Sequence, residues 1–229
     1  MKRINRSIML MMGLLLMSGV VAAQEVAPID SSYWNQHYAN RLAFFRAMPD
    51  HHKRIVFLGD SMTEGAKWQE LFDEKRVVNR GISGDVTYGV YARLDEVIQA
   101  RPLKVFLLCG VNDMKRGIAT NIILANIERI VQRIKRESPK TRLFVQGLLP
   151  VNESMLPAAY GQVTNAKIST LNTGLSALCT AYDVDFINLH PVFADAQGRM
   201  RGELVIDGLH LKQASYILWA NYLKSSNVM

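Results

Sequence analysis

Five short apolar runs punctuate the chain, over residues 55–58, 77–78, 105–109, 143–149 and 184–189. Most show no alternation of apolar and polar positions and are rich in Val, Ile, Leu and Phe, as strands buried on both faces should be. The run at 77–78 is the shortest and gives the weakest signal. Between the runs, apolar positions fall at helical spacing: Val86, Val90, Leu94 and Val97, then Ile123, Ile127, Ile130 and Ile134, then Ile168, Leu171, Leu175 and Leu178. A last helix is predicted from about residue 212 to 223, with Ile217, Leu218 and Leu223 as its apolar anchors. Strand alternating with helix predicts an α/β fold, a parallel sheet covered on both sides. Residues 31–48 predict an additional aromatic-rich helix packed onto this body. No internal repeat, low-complexity tract or linker interrupts the pattern.

The first residues follow a different grammar. Lys2, Arg3 and Arg6 make a basic start, residues 8–21 are almost wholly apolar, and Val21-Ala22-Ala23 offers a small-residue cleavage site before Gln24. That is the form of a secretory signal peptide, and the apolar stretch falls short of the roughly 20 residues that span a bilayer. The expectation is a leader at 1–23 and an exported domain at 24–229, periplasmic or secreted, with no stable membrane insertion after cleavage. No Cys lies near Ala23 to carry a lipid. The formal charge of +7 falls to +4 without the leader's three basic residues. The group Arg129, Arg133, Lys135 and Arg136 reads as a solvated helix face, so no nucleic-acid partner is expected. Cys109 and Cys179 lie in apolar settings and read as buried free thiols.

Four polar motifs fall where strands lead into helices, the rim at which such sheets bind ligands. Gly59-Asp-Ser61 follows the first run, Asn79-Arg-Gly-Ile-Ser-Gly84-Asp85 the second, and Gly110-Val-Asn112-Asp113 the third; Asp207-Gly-Leu-His210 precedes the last helix. A serine hydroxyl needs a base to take its proton, and that imidazole needs a carboxylate to hold its tautomer. Asp207 and His210, three residues apart, can share one helical turn or tight loop. Each residue also has a plainer reading: Ser61 as a helix N-cap, Asn112 as a turn residue, Gly84 as a turn glycine. The run after Gly59 is neither a dinucleotide fingerprint, a P-loop nor the nucleophile elbow of α/β-hydrolases. His51 and His52, with Asp50 beside them, read as an exposed loop pair, and no metal site is expected there. His37 lies on the N-terminal helix, and His190-Pro191 reads as a turn. Asp60 and Asp113 read as structural.

Together the four motifs resemble the SGNH hydrolases, also called GDSL-type esterases and lipases, over about residues 55–223. The stretch from Asn79, with Gly89-Val and Arg93-Leu-Asp after it, looks most like the platelet-activating-factor acetylhydrolase-like branch; Met62 stands where many members carry Leu or Ile. The resemblance implies a three-layer α/β/α sandwich with a five-stranded, flavodoxin-like parallel sheet. It implies a triad of Ser61, His210 and Asp207, and an oxyanion hole from the N–H groups of Ser61 and Gly84 and the Asn112 amide. It implies neither metal nor organic cofactor, and a short-chain ester as substrate, an O-acetylated carbohydrate being favoured. Two rivals stay open: an acylhydrolase for longer acyl chains, such as a lysophospholipase or thioesterase, and a non-catalytic glycan-binding module.

Overall fold

In a computed structural model, which describes residues 32–49 and 53–229, all five apolar runs become strands of one sheet. β1 (Ile55–Gly59), β2 (Val77–Gly81), β3 (Lys104–Leu108), β4 (Arg142–Gln146) and β5 (Asp185–Ile187) are parallel, in the order β2-β1-β3-β4-β5. The expected leader at 1–23, and His51 and His52 with Asp50, lie outside the described residues. Every residue of β1 is buried, which is why successive positions are apolar. The order reverses between β1 and β3, and that reversal opens a crevice at the strands' carboxyl ends.

α1 (Gln36–Ala47) precedes the sheet. α2 (Ser61–Glu64) and α3 (Trp68–Phe72) follow β1, α4 (Thr87–Ala92) and α5 (Leu94–Gln99) follow β2, and α6 (Val111–Lys115) and α7 (Thr120–Glu137) follow β3. α8 (Asn165–Ala181) links β4 to β5, and α9 (His190–Phe193) and α10 (Ser215–Ser225) complete the chain. Phe57, Phe106 and Phe144 occupy one register row and stack at 4.8 and 4.6 Å between centroids. Trp68 of α3 stacks on Phe57 at 4.0 Å and meets Trp219 of α10 edge-on, so α3 and α10 cover this face. Such ring pairs add about 0.5–1.5 kcal/mol each beyond burial. α7 packs against α4, α5 and α8 as the other layer. α1 docks through a small separate core of Tyr38, Leu42 and Phe45 with Ile82, and the Tyr38 hydroxyl donates to the Gly89 carbonyl at 2.8 Å.

Several expectations need correction. The helix read from Val86 to Val97 is two short helices that meet at Arg93, whose side chain is drawn beneath the sheet's rim. α10 begins at Ser215, and its buried face is Tyr216, Trp219, Ala220 and Leu223; Ile217 and Leu218 are exposed. Of the three anchors read from the sequence, only Leu223 lies on the buried face, because the helix is apolar on nearly all sides. β2 runs on to Gly81, so Asn79 and Arg80 lie within the strand rather than after it. β4 stops at Gln146 because β5 has three residues to pair with. Beyond Gly147, side chains of α8 take over: Asn172 bonds Leu148 N–H and C=O at 2.8 and 2.9 Å, and Asn165 does the same for Val151.

Cys109 and Cys179 are buried and free. The basic group on α7 is engaged locally: Arg133 with Asp95 and Glu137, Arg136 with Glu137, Lys135 with the Tyr182 carbonyl, and Arg129 over the Tyr91 ring. Among the described residues, no helix is long and apolar enough to cross a membrane.

Candidate active site

β1 ends at Gly59, where a Cβ would sit 2.1 Å from the Leu108 carbonyl oxygen and 2.4 Å from Thr63 Oγ1. A glycine there lets β1, β3 and α2 converge. Asp60 then caps α2 by accepting from Met62 N–H at 3.0 Å, so the cap falls one residue before the position expected for Ser61. Ser61 stands at the first helical position with its hydroxyl turned to His210: Oγ to Nε2 is 3.0 Å. His210 Nδ1 lies 2.7 Å from Asp207 Oδ2. A carboxylate can only accept, so Nδ1 carries the ring proton and Nε2 presents a lone pair to the serine.

Asp207 and His210 share a tight loop rather than a helical turn. An antiparallel bridge between Val205 and Leu211 closes it, and Asp207 Oδ1 accepts from the backbone N–H of Leu209 and His210 at 3.1 and 2.8 Å. Partial burial pushes the Asp207 carboxyl up. The hydrogen bonds from the His210 ring and from the His210 and Leu209 N–H groups outweigh it and hold the group below the usual carboxylate range. Asp207 is therefore anionic across the physiological range.

The other expected residues face the same opening. Among the described residues, neither the Ser61 nor the Gly84 backbone N–H has a hydrogen-bond acceptor. Gly84 has φ +81°, a conformation that L side chains rarely adopt, and Arg116 donates to its carbonyl at 3.3 Å. Asn112 is buried and uses one amide N–H on the Asp85 carbonyl at 3.0 Å, leaving the second. Ser61, Gly84, Asn112 and His210 line one cavity of about 640 Å³, together with Glu64, Lys115, Tyr160, Ile206 and Tyr216. The bond from Asn112 to the Asp85 carbonyl also fits its plainer reading as a turn residue, and φ +81° fits a turn glycine at Gly84; the two readings part at the unused donors. Of the other histidines, His37 bonds Glu64 at 3.0 Å and His190 heads α9; neither reaches the cavity wall.

A buried polar layer supports the opening. Arg93 donates to Asp85 Oδ2 at 2.8 Å, to the Arg80 carbonyl at 2.9 Å and to the Gly59 carbonyl at 2.9 Å, with both charged side chains fully buried. It thereby ties together the ends of β1 and β2 and the residue whose carbonyl holds Asn112. Asp113 accepts from the N–H and hydroxyl of Thr87, and Asn126 of α7 donates to that hydroxyl. Burial pushes the carboxyls of Asp85 and Asp113 up to about 6, Arg93 opposing it at Asp85 and the Thr87 bonds opposing it at Asp113. Burial, with Asp85 and Asp113 nearby, pushes Asp60 up to about 7 against the Met62 N–H bond. In the sequence Arg93 stands out only within the stretch Arg93-Leu-Asp. The signal for its role was an arginine set among the apolar repeat of Val90, Leu94 and Val97.

The model of the GDSL-like Lipase/Acylhydrolase family matches residues 57–217. The platelet-activating factor acetylhydrolase IB subunit alpha1 of Bos taurus is 30% identical over 173 residues, covering 73% of this chain and 72% of its own. A Streptococcus pneumonia protein whose structure is described as a platelet activating factor superposes with a TM-score of 0.77 at 32% identity, over 83% of this chain and 92% of its own. A GDSL-like lipase from Bacteroides thetaiotaomicron shares the fold, with a TM-score of 0.71 at 23% identity, over 82% of this chain and 96% of its own.

Proposed function

The chain belongs to the GDSL-like lipase/acylhydrolase family, a family of ester hydrolases, and we propose that it is an exported serine esterase that cleaves short acyl groups, acetyl above all, from a carbohydrate alcohol. The observation that carries this reading is the hydrogen-bonded chain Ser61–His210–Asp207, at 3.0 and 2.7 Å, opening onto the cavity with three unused N–H donors. Ser61 Oγ attacks the ester carbonyl while His210 Nε2 takes its proton. Asp207 holds the ring's tautomer and stabilises the imidazolium. The N–H groups of Ser61 and Gly84 and the free amide N–H of Asn112 receive the oxyanion. Collapse of the tetrahedral intermediate expels the alcohol, protonated by His210, and leaves an acyl-Ser61 ester. Water, deprotonated by His210, then releases the acid. Every step draws on this chain's own side chains and backbone, with no metal or organic cofactor in the scheme.

The acetylhydrolase names of the relatives favour a short acyl group. A panel of p-nitrophenyl esters from acetate to palmitate tests this, with rates expected to fall steeply beyond about four acyl carbons. A pocket with room for more would instead gain about 0.8 kcal/mol per buried methylene. Rates that climb toward palmitate would point to a lipase-like enzyme, and no turnover of any ester to a binding module. Export rests on the leader read at 1–23, and N-terminal sequencing of the secreted or periplasmic form should begin at Gln24. A full-length product retained in the membrane would contradict it.

A further inference from the structure

The cavity that holds Ser61 also holds a cation with no assigned task. Lys115 lies on α6 three residues after Asn112, a spacing that places both on one face of the helix and turns both toward the opening. Its Nζ sits 4.0 Å from the centroid of the Tyr160 ring. Among the described residues, no carboxylate lies within ion-pair distance of it. The other charged group on the wall, Glu64, is already neutralised: Arg41 and His37 lie 3.2 and 3.0 Å from its oxygens, and the Ser83 N–H donates to it. Asp207 is bonded to His210 behind the wall. Among the residues that line the cavity, the uncompensated charge is therefore positive and sits on Lys115.

The location says which half of the ester it would meet. Tyr160 approaches the His210 ring edge-on, with centroids 6.3 Å apart and planes at 87°. His210 must protonate the leaving oxygen, so the alcohol lies on the His210 side of Ser61, where Tyr160 and Lys115 stand. An ammonium over an aromatic face keeps its charge and gains a fixed position, while remaining free to bind an anion on its other side. We propose that Lys115, held by Tyr160, is a subsite for an anionic group on the alcohol half of the substrate. The preferred substrates are then short-chain esters of alcohols that carry a carboxylate or phosphate, an acidic sugar being the class that fits. This rests on the serine esterase reading and adds to it the charge of the substrate.

The test compares leaving groups matched in shape and different in charge: 3-acetoxybenzoate and 3-acetoxyphenyl phosphate against the neutral 3-acetoxybenzamide. At low ionic strength, kcat/KM for each anion divided by that for the amide is expected to fall about tenfold in Lys115→Met. The change should lie mainly in KM, as for binding shared by ground and transition states. Lys115→Arg should keep most of the preference, Lys115→Glu should reverse it, and salt at about 0.5 M should shrink it in the unaltered protein. The larger of the two ratios identifies carboxylate or phosphate as the better-fitting anion. Turnover of all three esters with ratios unmoved in Lys115→Met and Lys115→Glu would overturn the subsite. No turnover of any ester would instead strike down the esterase reading and this inference with it.

Discussion

Replacing Arg93 with Met is the sharpest test of how the fold builds the opening, because it keeps most of the side chain's length and removes its charge. Three hydrogen bonds go at once, from Asp85, Arg80 C=O and Gly59 C=O, and the Asp85 carboxylate is left buried without its partner. Breaking a buried pair in this way costs about 3–5 kcal/mol, since the remaining charge loses its compensation. For a domain of this size that corresponds to a fall in Tm on the order of 10 °C. The cost should depend on pH, with a definite sign. Burial already pushes Asp85 from 3.8 up to about 6 with Arg93 opposing it, so without Arg93 its folded-state value rises further. A folded-state value above the unfolded one means that the penalty is absent below the unfolded value and grows as pH rises through the folded one. Urea unfolding of Arg93→Met should thus show a deficit clearly larger at pH 8 than at pH 5. Adding Asp85→Asn should recover at least about 1 kcal/mol at pH 8, because it removes the stranded charge. The kcat for an acetyl ester should also fall about tenfold or more, since the Asp85 carbonyl orients Asn112. A deficit under about 1 kcal/mol, or one equal at both pH values, would refute the reasoning.

Asn112→Ala should lower kcat by about a hundredfold with little change in KM, and Asn112→Asp should be worse because it sets an acceptor against a developing negative charge. A near-normal kcat in a folded Asn112→Ala protein would return Asn112 to the role of a turn residue. Asp60 should respond to pH on its own account. Its Oδ2 is buried without a hydrogen-bond partner among the described residues, and its folded-state value of about 7 lies above the ordinary 3.8. The stability linked to it is complete below 3.8 and lost as pH rises through about 7. Asp60→Asn keeps the cap on Met62 and escapes that loss, so its advantage in urea unfolding should be near zero at pH 4 and exceed about 1 kcal/mol at pH 8. An advantage equal at both pH values would contradict the burial of an ionised carboxyl.

The features legible in the sequence share a physical cause: each carries its own local signal. Strands buried on both faces write continuous apolar runs, so all five are legible in their order along the chain. The motifs around Ser61, Gly84 and Asn112 each pair a strand end with glycine and a polar residue, and the His210 motif sets Asp207, glycine and His210 in one tight loop. What escaped depends on partners distant in sequence. β4 ends early because β5 is short, and nothing in residues 143–149 records the length of β5. The inward face of α10 is chosen by Trp68 and Phe193, not by the helix's own composition. Arg93 looks like an interruption in an apolar repeat until Gly59, Arg80 and Asp85 are brought around it. Lys115 is an ordinary helix lysine until Tyr160 folds over to meet it.

The central claim is that acyl transfer passes through Ser61, activated by His210. Mixing the protein with excess p-nitrophenyl acetate, quenching in acid within the first turnovers and mapping the peptides by mass tests it directly. One acetyl group should be found on the peptide that carries Ser61, on Ser61 itself, accompanied by a burst of p-nitrophenol matching the enzyme concentration if deacylation is the slower step. Ser61→Ala should show neither label nor turnover, and His210→Ala should acquire the label slowly if at all. Undiminished turnover by Ser61→Ala, or an acetyl group found reproducibly on another residue and released at the rate of turnover, would contradict the account.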